Sequence, residues 1–222
     1  MKKLLKAIIV IMPWPLKRWM LCKFFGYKIH PSAHIGLAWV YPGHLDMDEK
    51  SKIHHFTVVI HLDLVKIGYD SSIGRSNWVT GMSTKNDSEY FKGQGDRKAE
   101  LIMGKFSHFT KGHHVDCTNS IIVGDFVTIA GYQSQFLTHS INIYKNIQDS
   151  APIFIGDYTF VGTNVVVLGG SKLPAYSVLG AKSLLNKAYT EEWKLYAGVP
   201  AKPVSDISKD AKYFYRKDGF VY

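Results

Sequence analysis

Ten histidines are the residues of this chain best suited to proton transfer near neutral pH, because imidazole has an ordinary pKa of about 6.5. Three groupings stand out: His54, His55 and His61; His113 and His114 beside Asp116 and Cys117; and His139, which is followed by Ser140. A neutral imidazole such as His139 can take the proton of a hydroxyl as that hydroxyl attacks a carbonyl. Cys117 could serve as a nucleophile with a histidine base, but a lone cysteine on a buried strand is more often a small hydrophobe. No acid or thiolate joins His54, His55 and His61 at a familiar ligand spacing, so no metal is expected there. Adjacent residues on a strand point to opposite faces, so at most one of His113 and His114 lines a given surface.

The elements that must carry these residues are announced by a beat of six. From Ile155, apolar residues recur at Val161, Val167, Leu173 and Leu179, and the same spacing joins Ile67, Ile73 and Val79, then Val123 and Ile129. A helix buries a residue about every 3.6 positions and a flat strand every second one. A period of six fits a short strand plus a turn wound repeatedly around one core, which is a parallel β-helix. The expected class is an all-β solenoid with extruded loops. Its hand is not set by spacing, and the general rule for parallel crossovers favours the right.

Three segments follow: 1–28, a basic, aromatic N-terminal stretch that should be helical and broken near Pro13 and Pro15; 29–204, the solenoid, opening on the hexad Ile29 to Ile35; and 205–222, a tail expected to pack back on the body. The beat breaks three times. A polar stretch runs from Gly81 to about Ala99, a two-residue slip falls at Cys117 to Ser120, and a second excursion, Ser140 to Pro152, follows His139. Asn186 to Trp193 reads as a helical exit, and Tyr196 to Val204 as a turn-rich closing strand.

Charge is concentrated at one end. The formal net charge is +9, yet residues 1–45 hold seven basic side chains and no acid, leaving the rest of the chain at about +2. Basic residues interleaved with Leu, Ile, Trp and Phe point either to an amphipathic segment on an anionic membrane surface or to a helix capping the solenoid. The body, once those seven charges are set aside, is near neutral and carries no nucleic-acid motif, so no nucleic acid is expected as a partner. Lys6 interrupts the apolar run and Pro13-Trp14-Pro15 offers no small-residue cleavage site, which argues against a signal peptide. Two cysteines far apart make a disulfide framework unexpected and a cytoplasmic, reducing compartment the default.

The hexads, the stretch Ala130-Gly131-Tyr132-Gln133-Ser134-Gln135-Phe136-Leu137-Thr138-His139-Ser140 and the stretch Ala197-Gly198-Val199-Pro200-Ala201-Lys202-Pro203 together resemble the left-handed β-helix acyltransferases. This is the hexapeptide-repeat family that moves acetyl groups from acetyl-CoA onto sugars and other small acceptors. The resemblance spans about Ile29 to Val204 and is strongest to members that O-acetylate bacterial surface polysaccharides or their precursors. It implies a left-handed coil, a homotrimer with sites between copies, acetyl-CoA as co-substrate, a saccharide acceptor and direct transfer without an acyl-enzyme.

By this resemblance His139 is the catalytic base. His114, Asp116, Asn119 and Gln135 are expected to bind the acceptor. Gly162, Thr163, Gly180, Ala181 and Lys182 should border the pantetheine channel, and Lys182, Lys187 and Lys202 should meet CoA phosphates. An oxyanion donor is sought at Gly131 or after Gly162. An amino-sugar or nucleotide-sugar N-acetyltransferase, and a non-catalytic or carbonic-anhydrase-like β-helix, are the competing readings. The last would need three metal histidines that the sequence does not offer.

Overall fold

The computed structural model describes residues 2–86 and 89–221. Asp87, in the polar stretch, and Tyr222, at the end of the tail, lie outside the described residues, as do Met1 and Ser88 and the side chains of Lys2 and Lys3.

Strands of two to four residues, with two longer ones at the C-terminal end, form three sheets that are parallel up to the last strand, and the chain visits them in turn, adding one strand to each sheet per coil. The register stacks like on like. In the first sheet Ile29, Met47, Ile67, Met103, Val123, Ile155 and Leu173 pair in succession. The second aligns Ile35, Ile53, Ile73, Phe109, Ile129, Val161, Leu179 and Tyr196. The third aligns Val40, Val59, Val79, Val115, Phe136, Val167 and Leu185. All of these side chains are buried. The beat of six is therefore the passage from one column of the core to the next. The coil is left-handed. Its crossovers are two further short strands, so no packed helix imposes the right hand that governs ordinary parallel units.

Both ends are closed. At the start, the helices Lys2–Ile11 (α1) and Trp14–Phe25 (α2) break at Met12-Pro13 and bury Ile9, Lys17 and Leu21 against the first coil. Lys17 Nζ donates to the Gly36 carbonyl at 2.6 Å, and Arg18 donates twice to the Ile29 carbonyl, at 3.0 and 2.7 Å. Burial lowers the Lys17 ammonium to about 8. At the far end, Lys194–Gly198 joins the second sheet and turns back antiparallel through Ala201–Asp206.

The expected helix at Asn186 to Trp193 is absent. That stretch completes the last coil instead: Ala188 bridges Lys172, and the Tyr189 hydroxyl donates to the Ala201 carbonyl at 2.5 Å. The tail adds a short 3-10 turn, Lys212–Tyr215, that buries Phe214. It lies along a corner where Phe106, Phe126, Tyr158, Tyr176 and Trp193 stack ring on ring at 4.5 to 5.4 Å. Arg216 covers this ladder, over Phe126 and Tyr158.

The three breaks named above leave the prism at the same corner, between the third sheet and the first. The polar stretch follows Trp78–Thr80, the slip follows His114–Asp116, and the second excursion follows Gln135–Leu137. These are adjacent strands of the third sheet, so the three departures are stacked one above another.

Phe136 is the largest side chain of the third column and meets Phe109 edge-on at 5.6 Å. Phe136→Ala should destabilise the protein by roughly 3–5 kcal/mol, measured as a lower denaturant midpoint with the slope unchanged.

Candidate functional site

His139 opens a two-stranded antiparallel hairpin, His139–Asn142 with Ile147–Ser150, that leaves the departure corner. Its ring is tied to the coil below. Nδ1 lies 2.7 Å from Oδ2 of Asp116. Asp116 is on the outer face of the third sheet, two residues beyond His114, and its carboxylate is fully engaged. Oδ1 accepts from the Thr118 N–H and hydroxyl at 3.2 and 2.7 Å. Oδ2 accepts from the Thr138 N–H and hydroxyl at 3.1 and 3.0 Å, in addition to His139.

Burial alone would raise the Asp116 carboxyl, but the hydrogen bonds from His139 and Thr118 outweigh it and hold it below its ordinary value. The same contact raises His139 above its ordinary value, against partial burial and the nearby Arg97 cation. An ionised Asp116 accepts the Nδ1 proton of the neutral ring. Nε2, to which no described residue hydrogen-bonds, is then the basic nitrogen. His139 also borders a cavity of about 380 Å³, together with Ser140, Asp149, Gly169 and Asn186.

The polar stretch from Gly81 to about Ala99 closes over this pair. Phe91, buried, meets the His139 ring edge-on at 6.2 Å. Arg97 stacks on Phe91 at 4.6 Å and donates to the carbonyls of Met82 and Thr118, both at 2.5 Å. Arg97 thus reaches the base by two routes, through Phe91 and through the residue that holds Asp116. The insertion and the hairpin also grip each other: Gln94 donates to Asp149 and accepts from the Ser150 hydroxyl at 2.6 Å. Between them lies a second cavity of about 690 Å³, walled by Tyr90, Phe91, Ile141 and Lys145. Phe91 and Arg97 carried no motif that could have singled them out, whereas Thr118 and Thr138 lie in the slip and in the stretch that ends at His139.

The four expected acceptor residues separate into two pairs. Asp116 spends its oxygens on His139 and two threonines, which leaves none turned to an acceptor. Asn119 likewise works within the chain, donating from its backbone to Thr138 and from Nδ2 to Ser150 at the hairpin base. His114 and Gln135 are cross-strand partners, both exposed on the outer face of the third sheet. His113 points the other way, into the core, and burial beside His114 lowers it to about 4. Cys117 is buried in full and its thiol is pushed well up by desolvation and by Asp116, which leaves it unsuited to nucleophilic attack. Among the described residues no group of three metal-ligating side chains comes together.

The expected donor residues line a different edge, the corner between the second and third sheets. A Cβ on Gly162 would come within 2.6 Å of the Ala181 nitrogen, and one on Gly180 within 3.1 Å of the Ala197 methyl. Lys182 and Lys202 belong to the same column, Lys202 being the register partner of Ala197. Gly131 also sits here, at φ +72° with its missing Cβ against Thr163. Lys187 lies instead in the stretch that replaces the expected helix. Within one chain the donor edge and His139 are held apart by a third-sheet strand of three residues, roughly 10 Å.

Comparison with known proteins gives the following. No family model matches the chain. Galactoside O-acetyltransferase of Escherichia coli K12 is 32% identical over 103 residues, covering 45% of this chain and 50% of that protein; the chain thus spans about half the length of the curated relative it matches. Among solved structures, a polySia-specific acetyltransferase superposes with a TM-score of 0.52 at 16% identity, over 81% of this chain and 80% of the other. An N-acyltransferase from Bacillus cereus, in complex with dTDP and 3-hydroxybutyryl-CoA, gives 0.50 at 13% identity, over 89% and 92%. The likenesses to solved structures show the fold.

A base must be neutral to act, so activity should fall as pH drops through the His139 pKa. Because Asp116 raises that pKa, Asp116→Asn should move the acid limb of kcat/KM to lower pH and reduce the plateau by about 10²-fold or more. The pH profile of the two proteins checks this.

Proposed function

We propose that the chain is an acetyl-CoA-dependent O-acetyltransferase acting on a sugar hydroxyl of a surface polysaccharide or its precursor. The observation that carries the proposal is the His139–Asp116 pair at 2.7 Å beside a cavity, with no described residue hydrogen-bonded to Nε2, on a hexapeptide-repeat coil. The named relatives that modify galactosides and polySia support a saccharide as the acceptor.

In this reading Nε2 of His139 removes the acceptor's hydroxyl proton as its oxygen attacks the thioester carbonyl. The tetrahedral intermediate collapses by breaking the carbon–sulfur bond, and the departing thiolate recovers the proton from Nε2. Asp116 stays ionised throughout and stabilises the imidazolium between the two transfers. No acyl-enzyme is needed, and the desolvated Cys117 takes no part.

The separation of His139 from the small-residue edge supports a homotrimer. If one copy lays its second-to-third-sheet edge along the departure corner of the next, Gly162, Thr163, Gly180 and Ala181 of one chain face His139 of its neighbour. Such a contact joins two different surfaces, and a heterologous contact whose rotation closes after three copies forms a ring. Leu37, Phe56, Trp78 and Tyr132 are large and exposed along that edge and the adjoining sheet face, as a buried interface requires. Lys182 and Lys202 then stand at the rim for CoA phosphates, and the cavity between the insertion and the hairpin receives the saccharide.

The test is thioester cleavage of acetyl-CoA by wild type and His139→Ala across galactosides, sialic acid polymers, nucleotide sugars and amino sugars. Wild type should turn over with at least one hydroxyl acceptor, and the variant should lose about 10²–10⁴-fold in kcat. Undiminished turnover by folded His139→Ala would remove His139 from the mechanism. Acceptance of amino sugars alone would replace O- by N-acetylation.

A further inference from the structure

The N-terminal helices are apolar on both sides. Their inner side is accounted for: Ile9 and Leu21 are buried against the first coil, and Lys17 and Arg18 are spent on its carbonyls. The outer side is not. Leu4 (68% exposed), Ile8 and Ile11 (70%) follow one another at spacings of four and three along one face of α1, and Leu16, Trp19 (50%) and Phe24 (52%) are exposed on α2. Trp19 and Phe24 meet edge-on at 5.9 Å, with Lys23 Nζ over the indole at 4.8 Å. A solenoid cap normally presents a polar outer face, since that is what keeps the open end in solution. This cap presents leucine, isoleucine, tryptophan and phenylalanine.

The surrounding charge decides what such a face fits. Seven basic residues and no acid occupy positions 1–45; Lys23 and Lys28 are exposed, Lys23 over the Trp19 ring and Lys28 on the first strand just after α2. A protein partner of ordinary surface composition does not call for a pair of helices free of acids, whereas an anionic lipid headgroup layer does. No helix among the described residues is long and apolar enough to cross a bilayer, and α1, at ten residues, fits lying in the interface with its apolar side inserted.

We infer that the outer face of α1 and α2 docks the protein on an anionic membrane surface. Leu4, Ile8, Ile11, Leu16, Trp19 and Phe24 enter the headgroup boundary, and Lys23 and Lys28 pair with lipid phosphates. Along the coil axis the His139 corner then lies four coils from the docked end, roughly 20 Å. The inference is independent of the reaction proposed for that corner.

The experiment is co-sedimentation of the full chain with phosphatidylcholine vesicles, with and without phosphatidylglycerol. Wild type should bind the anionic vesicles, more weakly as salt rises, and bind the neutral ones at least tenfold less. Leu4→Ser/Ile11→Ser/Trp19→Ser should lose about tenfold or more on anionic vesicles with an unchanged unfolding midpoint, because these side chains project into solvent. Lys23→Glu/Lys28→Glu, which leaves the apolar face intact, should lose a similar factor. Wild type that ignores anionic vesicles overturns the inference, and so do variants that bind as wild type does. If wild type ignores vesicles while the serine variant loses molecular mass in solution, the face is a contact between copies and the membrane assignment falls.

Discussion

A buried side chain in this prism sits directly above and below the inward side chains of the neighbouring coils, and each coil is hydrogen-bonded to the next along three parallel sheets. An extra residue within a strand would turn every later side chain of that strand to the wrong face and break the column at that level. Additional chain can therefore leave only at a corner. Here it leaves at one corner on successive coils, so segments far apart in sequence are forced together. The polar stretch, the slip and the hairpin meet because their strands are neighbours in the third sheet, and that is how Phe91, Thr118 and His139 come to share a few ångströms.

The same constraint explains how Asp116 can be both ionised and mostly out of water. It follows Val115 of the third column, pointing outward, on a face that would be open to solvent in a plain coil. The departures cover it. Desolvation of a carboxylate is tolerable only when its lone pairs are satisfied, and Thr118 from the slip, Thr138 from the next coil and His139 supply that. A charge so held is fixed in position before substrate arrives, which is the condition under which it can set the tautomer and basicity of an imidazole.

The fold was legible because a six-residue beat has few structural solutions, and the columns of isoleucine, valine and leucine fall where that beat places them. His139 was legible as the residue at which the beat stops. Asp116 was visible but assigned to the acceptor, since nothing in Val115-Asp116-Cys117 reveals that the coil above brings a histidine onto it. Phe91 and Arg97 lie in a segment without periodicity, and their role depends on where the loop lands. The helix expected at 186–193 failed for a related reason. The propensity of Ala188, Tyr189, Glu191 and Trp193 for a helix was outweighed by tertiary positions waiting for them: Ala188 pairs with Lys172, Tyr189 packs against Tyr196, and Trp193 ends the aromatic ladder. The N-terminal segment showed its composition but not its division of labour, in which Lys17 and Arg18 serve the cap and the outer apolar residues do not.

The account rests on one arrangement, an imidazole whose Nδ1–H is held by a desolvated carboxylate and whose Nε2 is left to act. Nitrogen-15 NMR of histidine-labelled protein, with His139→Gln used to assign its ring, observes this directly. The account predicts that neutral His139 carries its proton on Nδ1 and titrates above the ordinary imidazole value of about 6.5. A neutral ring protonated on Nε2, or a titration at or below the ordinary value, would contradict it.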